Sequence, residues 1–148
     1  MTNQQLQRLV QRISLKYFAR PFRHRVCFDP YLRSTGGRYH LRTHNIDINP
    51  KMLTDFSRAN LIGVIKHELC HYHLHLAGYS GRHGTRAFQQ LLQMVGGSRY
   101  APQPRHLRWR LYQCRRCGRI YWRRRTLNVS RYICGCCHGH LHFLKKVD

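Results

Sequence analysis

The stretch LIGVIKHELCHYHLHLA, residues 61–77, decides how this chain is read. Leu61, Ile62, Val64, Ile65, Leu69 and Leu76 make it strongly apolar, and Gly78 stops it, so the spacing predicts a helix buried on most sides. Inside that helix, His67-Glu68-Leu69-Cys70-His71 reads HExxH. Residues four apart on a helix share one face, so His67 and His71 can offer two imidazoles to one metal ion. Glu68 follows the first of them, and its carboxylate can reach a water on that metal. The motif fixes only three positions, so an ordinary helix with solvated histidines is the bland reading beside it. Composition weighs toward the metal. Glu68 is the only glutamate in 148 residues, and one of five acids with Asp29, Asp47, Asp55 and Asp148.

A catalytic zinc takes three protein ligands and keeps one open position. No acid lies between Glu68 and Asp148, so the third ligand is expected to be a histidine. Leu74 and Ala77 occupy the places where the longer HExxHxxGxxH pattern needs Gly and His. His73 is turned about 200° from His71, onto the wrong face. His75 lies two turns from His67 on the same straight helix. His83 sits beyond the Gly78 break, in the glycine-rich loop 79–84 that can fold back, and is the expected third ligand. Cys70 is expected to point into the core.

Outward from this helix, the chain reads as α+β. Leu6, Leu9, Val10, Ile13, Tyr17 and Phe18 predict an amphipathic helix from Thr2 to about Ala19, ended by Pro21. Residues 22–29 read as a first strand, 31–35 as a further extended piece, and Cys27 as a buried core thiol. Alternation in 38–41 and 45–48 predicts a hairpin turning near His44. Residues 51–56 predict a helical turn, with Ser57 capping the central helix. Thr85 and Gly96 bracket a last helix through Phe88, Leu91, Leu92 and Val95.

Pro102 and Pro104 mark a linker, dividing the chain into residues 1–102 and 103–148. Beyond it stand Cys114-x2-Cys117, sixteen residues, then Cys134-x2-Cys137. No secretory signal and no apolar run of membrane-spanning length is visible, so a cytoplasmic protein with reduced thiols is expected. In that setting two CxxC knuckles predict a four-cysteine zinc ribbon; a register pairing Cys134 with Cys136 has a tighter spacing, and His138 is a minor alternative ligand. Strands are expected at 120–122, 129–133 and 141–144.

The formal charge is +22, from 27 Lys and Arg. Arg105, Arg108, Arg110, Arg115, Arg116, Arg119, Arg123, Arg124, Arg125 and Arg131 crowd the ribbon, interleaved with Trp109, Tyr112, Tyr121, Trp122 and Tyr132. Arginine forks match phosphates, and aromatic faces stack bases. Nucleic acid bound without sequence preference is therefore the expected partner, with Arg115, Arg116, Arg119, Arg123, Arg124 and Arg125 as contacts. Two or three of the aromatics are expected to pack the ribbon's own core.

The segments SLKYFARPF, GGRYHLRTHNIDINP, LIGVIKHELCHYHLHLAGY, RHGTRAF and CGCCHGHL together resemble the SprT-like metalloprotease family, whose eukaryotic relatives include the DNA-dependent protease Spartan. The resemblance implies a zincin-like metalloprotease domain with a central HExxH helix, followed by the ribbon. It implies zinc on His67, His71 and, at the family's later histidine, His83, with Glu68 as the catalytic acid–base; Tyr79 and several arginines are candidates for the oxyanion, which the sequence does not assign. It also implies one catalytic and one structural zinc, and substrates bound or crosslinked to DNA. The competing expectation is a nucleic-acid-binding protein with two structural zincs and no catalysis.

Overall fold

The computed structural model describes residues 1–102 and 108–147. Pro104 and Arg105 lie outside the described residues. The chain divides into two compact units, Met1–Pro102 and Gln103–Asp148.

The first unit opens with α1, Asn3–Ile13. Thr2 caps it, and Gln5 reaches back to the Thr2 N–H to complete a capping box. The α-helical part ends earlier than Ala19. Ser14–Phe18 form a wider π-helical turn that closes at Ala19 with φ 54°. The buried Ser14 hydroxyl donates to the Arg20 carbonyl at 2.7 Å, and so accepts the Nε2–H of buried His73 at 2.8 Å.

Strands β1 (Val26–Phe28), β2 (Gly37–Tyr39) and β3 (Ile46–Ile48) form one sheet in the order β1-β3-β2. The expected hairpin is β2–β3, with His44 in the turn at φ 60°. The sheet is nevertheless mixed rather than antiparallel, because β1 runs parallel to β3. β1 is also shorter than residues 22–29, since side chains take the earlier amides: Arg23 N–H donates to Tyr72 Oη and Arg25 N–H to Asn45 Oδ1. The outer amides of β1 donate to Gln7 and Asn3 of α1, which covers that edge. Residues 31–35 form no strand, because the Asn49 side chain binds the Leu32 and Thr35 carbonyls. Cys27 is half-buried, and its thiol faces Asp47 Oδ1 at 3.4 Å, so it is not a core thiol.

After a π-helical turn at Met52–Phe56, Ser57 caps α2, Arg58–Leu76. Leu61, Val64, Ile65, Leu69 and Tyr72 of α2 join Leu6, Val10, Ile46 and Ile48 in the main core. Its opposite side packs Cys70 against Phe88, Leu92 and Val95 of α3, Arg86–Val95. Thr85 and Gly96 cap α3 as expected.

In the second unit, β4 (Trp109–Cys114), β5 (Ile120–Arg123) and β6 (Leu141–Val147) form an antiparallel sheet in the order β5-β4-β6. β4 is a strand the sequence reading missed. Residues 129–133 are not a strand. Asn128 turns them by accepting from the Arg131, Tyr132 and Ser130 amides, leaving one bridge at Ile133.

Candidate metal centres

Helix α2 carries His67 and His71 one turn apart, and the loop after Gly78 returns His83 to them. The Thr85 hydroxyl donates to the Arg82 carbonyl while accepting from the Phe88 amide, tying that loop to the start of α3. His67 Nε2 lies 2.9 Å from His83 Nε2 and 3.2 Å from His71 Nε2, and His71 and His83 are 3.0 Å apart. All three rings pack on buried Phe88, with centroids at 5.2, 4.5 and 5.1 Å.

The second ring nitrogens decide what this cluster holds. His67 Nδ1 is 2.7 Å from the Ser98 carbonyl, and His71 Nδ1 is 2.6 Å from the Gly81 carbonyl. A carbonyl only accepts, so both Nδ1 atoms carry the proton. Burial favours the neutral ring and pushes the His71 pKa below its ordinary value, outweighing the bond to the Gly81 carbonyl, which raises it. His67 and His71 therefore turn lone pairs toward each other. A proton on His83 Nε2 cannot serve both. A cation at the shared point resolves the conflict. Tetrahedral zinc–nitrogen bonds would set neighbouring nitrogens about 3.3 Å apart, close to what is found. The residues fit the metal. Holding His67 and His71 by their outer nitrogens is also how proteins fix ring orientation and raise ligand basicity.

Glu68 points away from solvent and is almost wholly buried. Its side chain lies against Gly37 of β2, where an added Cβ would fall 2.8 Å from Glu68 Cγ and 3.0 Å from Oε1. Burial pushes its pKa up to about 8, and a hydrogen bond from the Tyr39 backbone pulls the other way. A divalent cation on the adjacent His67 would favour the carboxylate and bring this value down.

The other histidines of α2 have structural partners. His73 bonds Ser14, and burial with the Arg20 charge lowers its pKa to about 4. His75 Nδ1 meets Tyr39 Oη at 2.7 Å, and the same hydroxyl meets His44 Nδ1 at 2.8 Å. Cys70 is fully buried and lies outside the histidine cluster. The Tyr79 side chain is exposed. Several supports escaped the sequence reading: the Ser98 and Gly81 carbonyls, Phe88, Gly37 and the Tyr39 amide. Their only sequence trace is the glycines themselves.

The second cluster is Cys114, Cys117, Cys134 and Cys137, whose sulfurs all lie within 4.8 Å of one another. Cys114 and Cys137 are 3.4 Å apart, and Cys117 and Cys134 3.6 Å. Cys136 and His138 stand outside it. Amides of Arg116 and Cys117 point at Cys114 Sγ, and the Cys136 amide at Cys134 Sγ, as thiolates require. Burial raises Cys134, but the Tyr121 hydroxyl at 3.0 Å and the Cys137 and Cys136 amides outweigh it and bring the pKa to about 6. The two knuckles are alike: Gly118 and His138 each follow the second cysteine with positive φ and donate back to the first. These donors suit a thiophilic ion such as zinc.

Around this centre, Tyr121 packs on the cysteine core, while Trp109 and Tyr112 are buried and meet Trp122 and Phe143 edge-on. Arg115, Arg116, Arg123, Arg124 and Arg125 are exposed and Arg119 is half-buried. Arg119 and Arg123 flank the Tyr121 ring at 5.5 and 5.3 Å. Arg116 also donates to the Cys137 carbonyl, and the Arg124 carbonyl accepts from Arg110.

Among the described residues no helix is long and apolar enough to cross a membrane. The SprT-like family model matches residues 6–107. A Protein SprT-like of Lactiplantibacillus plantarum is 57% identical over 143 residues, covering 94% of this chain and 97% of that relative. Relatives of the same name from Geobacillus kaustophilus and Enterococcus faecalis are 49% and 46% identical, over 95% and 100% of this chain and 98% and 99% of their own. Among solved structures, the metallopeptidase zymogen abylysin of Pyrococcus abyssi matches with a TM-score of 0.49 and 17% identity, over 64% of this chain and 83% of that one. The family match spans most of the chain and the relatives match it nearly end to end: this protein belongs to the SprT-like family.

Proposed function

We propose that the protein is a zincin-like, zinc-dependent peptidase that acts on proteins held on DNA. One observation carries the catalytic part: three imidazole nitrogens 2.9–3.2 Å apart, two of them with their protons committed elsewhere. In this reading His67, His71 and His83 hold the ion, and Glu68 is the catalytic acid–base. Zinc there supplies a Lewis acid for the scissile carbonyl and makes a water acidic near neutral pH. Glu68 takes the proton of the attacking water and passes it to the leaving amine. An extended peptide adding to the outer edge of β2 comes alongside Glu68, because Gly37 of that strand touches it. The structural zinc sits on the four cysteines. The ribbon arginines, with Tyr121 between two of them, hold DNA by phosphate contact and stacking, without sequence preference and with strong salt dependence.

The non-catalytic alternative needs a thiolate closing the first site. Cys70 packs instead with Phe88, Leu92 and Val95, which weighs against it. The test is cleavage of a DNA-bound protein by wild type and Glu68→Gln, with metal content measured on both. Wild type should carry two zinc ions per chain and cleave faster with DNA. The variant should keep both ions and lose cleavage. A variant that cleaves at the wild-type rate refutes the role of Glu68. Equal cleavage with and without DNA refutes the coupling.

A further inference from the structure

We infer that Gly63 is a positioning residue for His67, acting through the backbone of Ser98. The inference rests on the reading of His67 as a metal ligand. Gly63 is buried in α2, one turn before His67. Glycine is among the worst residues for a helix interior, so its place in the middle of a well-formed helix needs a local reason.

The reason is a strap of chain laid across α2. The Ser98 amide donates to the Gly63 carbonyl at 3.0 Å, and the Ser98 carbonyl accepts from His67 Nδ1 at 2.7 Å. One residue thus spans one turn of the helix, its N–H on Gly63 and its C=O on the ligand ring. The Ser98 side chain can sit where it does only over bare backbone; the Ser98 nitrogen itself stands 3.6 Å from where a Cβ on residue 63 would be. A Cβ at residue 63 would collide with Ser98 Oγ and stand 3.2 Å from Ser98 Cβ. A Cβ at Gly97 would fall 2.5 Å from Leu92 Cδ1, 3.3 Å from Lys66 Cβ and 3.4 Å from the His67 amide nitrogen. Both surfaces of the contact are therefore stripped to glycine.

The consequence for the site is specific. Ser98 fixes the proton of His67 on Nδ1 and the plane of its ring. Only then does the Nε2 lone pair face His71 and His83. A methyl at residue 63 lifts the strap, lengthens the bond to the Ser98 carbonyl and lets the imidazole turn or change tautomer. Outer partners of this kind commonly govern metal affinity by about 10- to 100-fold. Alanine at residue 63 favours the helix itself, so folding and ligation should part company.

The full-length chain is titrated with cobalt(II), whose thiolate site shows sulfur-to-metal charge-transfer absorption and whose histidine site does not. Zinc affinity is then measured by competition with a chromophoric chelator. Wild type should fill both sites. Gly63→Ala should bind at the histidine site about 10- to 100-fold more weakly. Its thiolate site should be unchanged, and hydrogen-exchange protection of α2 in the metal-free chain should not fall. Gly63→Ala with Ser98→Gly keeps the carbonyl and removes the side chain in the way, so it should recover most of the loss. Wild-type affinity in Gly63→Ala overturns the inference while leaving the ligand reading intact. So does a loss that tracks falling α2 protection and is not recovered by the double variant. A wild-type chain that fills only the thiolate site overturns the ligand reading and the inference together.

Discussion

Replacing Gly37 by alanine tests whether β2 sets the position of Glu68. The new methyl would lie 2.8 Å from Glu68 Cγ, 3.0 Å from Oε1 and 3.1 Å from the Asp47 carbonyl oxygen. Ordinary carbon–carbon contact begins near 3.4 Å, so the closest overlap is roughly half an ångström. Overpacking of this size costs about 1–3 kcal/mol. Removing a strand glycine returns roughly 0.5–1 kcal/mol of backbone entropy. The net loss should be on the order of 1–2 kcal/mol. Glu68 should give way, because the Asp47 carbonyl is held in the β2–β3 ladder. Native-state hydrogen exchange of the α2 amides reads the stability of this unit alone, which a global melt of two units does not. The decisive comparison is a double-mutant cycle. In a Glu68→Ala background both side-chain contacts vanish and only the Asp47 carbonyl remains. The cost of Gly37→Ala should then shrink by about 1 kcal/mol. An equal cost in both backgrounds refutes the idea that Gly37 makes room for Glu68. With Glu68 present, cleavage should also fall in kcat more than it rises in KM.

Three other outcomes follow from the same geometry. In the metal-free chain burial pushes the Glu68 pKa up to about 8, above the usual carboxylate range. An acid with a raised folded pKa adds its stability penalty as pH climbs from the unfolded value to the folded one. Glu68→Gln should therefore stabilise the metal-free chain little at pH 4 and by about 3 kcal/mol at pH 7, read by α2 exchange. A flat difference across that range would show that Glu68 stays ionised. Asp47 is shifted the other way: burial raises it, but bonds from His40, Cys27 and Arg38 prevail and lower it. Its contribution is present above the usual carboxylate range and is lost as pH falls through the lowered value. Asp47→Asn should lessen the acid sensitivity of urea unfolding and leave a constant loss at pH 7. Cys137→Ser should abolish exchange protection in β4 and β6, since a unit this small leans on its metal, whereas Cys136→Ser should not. Loss in both variants would mean that the four-cysteine register is wrong.

What the sequence disclosed and what it hid differ in the range of the forces involved. Thr2, Ser57, Thr85 and Gly96 act on amides within a few residues, so those four helix ends were legible from their own neighbourhoods, whereas the end of α1 at the π-helical turn was not. The apolar spacing of α2 and the i, i+4 step from His67 to His71 are equally local. His83 was reachable because the acids were too few to supply another ligand. The parallel pairing of β1 with β3 was not. It joins Val26–Phe28 to Ile46–Ile48 across twenty residues, and β1 is trimmed because Arg23 and Arg25 give their amides to Tyr72 and Asn45, partners about fifty and twenty residues away. Strand β4 was hidden for a similar reason: its alternation is broken by a register shift between Leu111 and Tyr112. The supports of the histidine site were the least visible of all, because they are main-chain atoms. The Ser98 and Gly81 carbonyls and the Tyr39 amide have no side-chain signature. Their trace is negative: a glycine at residue 63 in a helix and at residue 37 in a strand, where each is locally the wrong residue. Each marks a place where another segment lies against bare backbone, and both places adjoin the HExxH pair. A glycine that its own secondary structure disfavours is thus the sequence's record of a close approach made elsewhere in the fold.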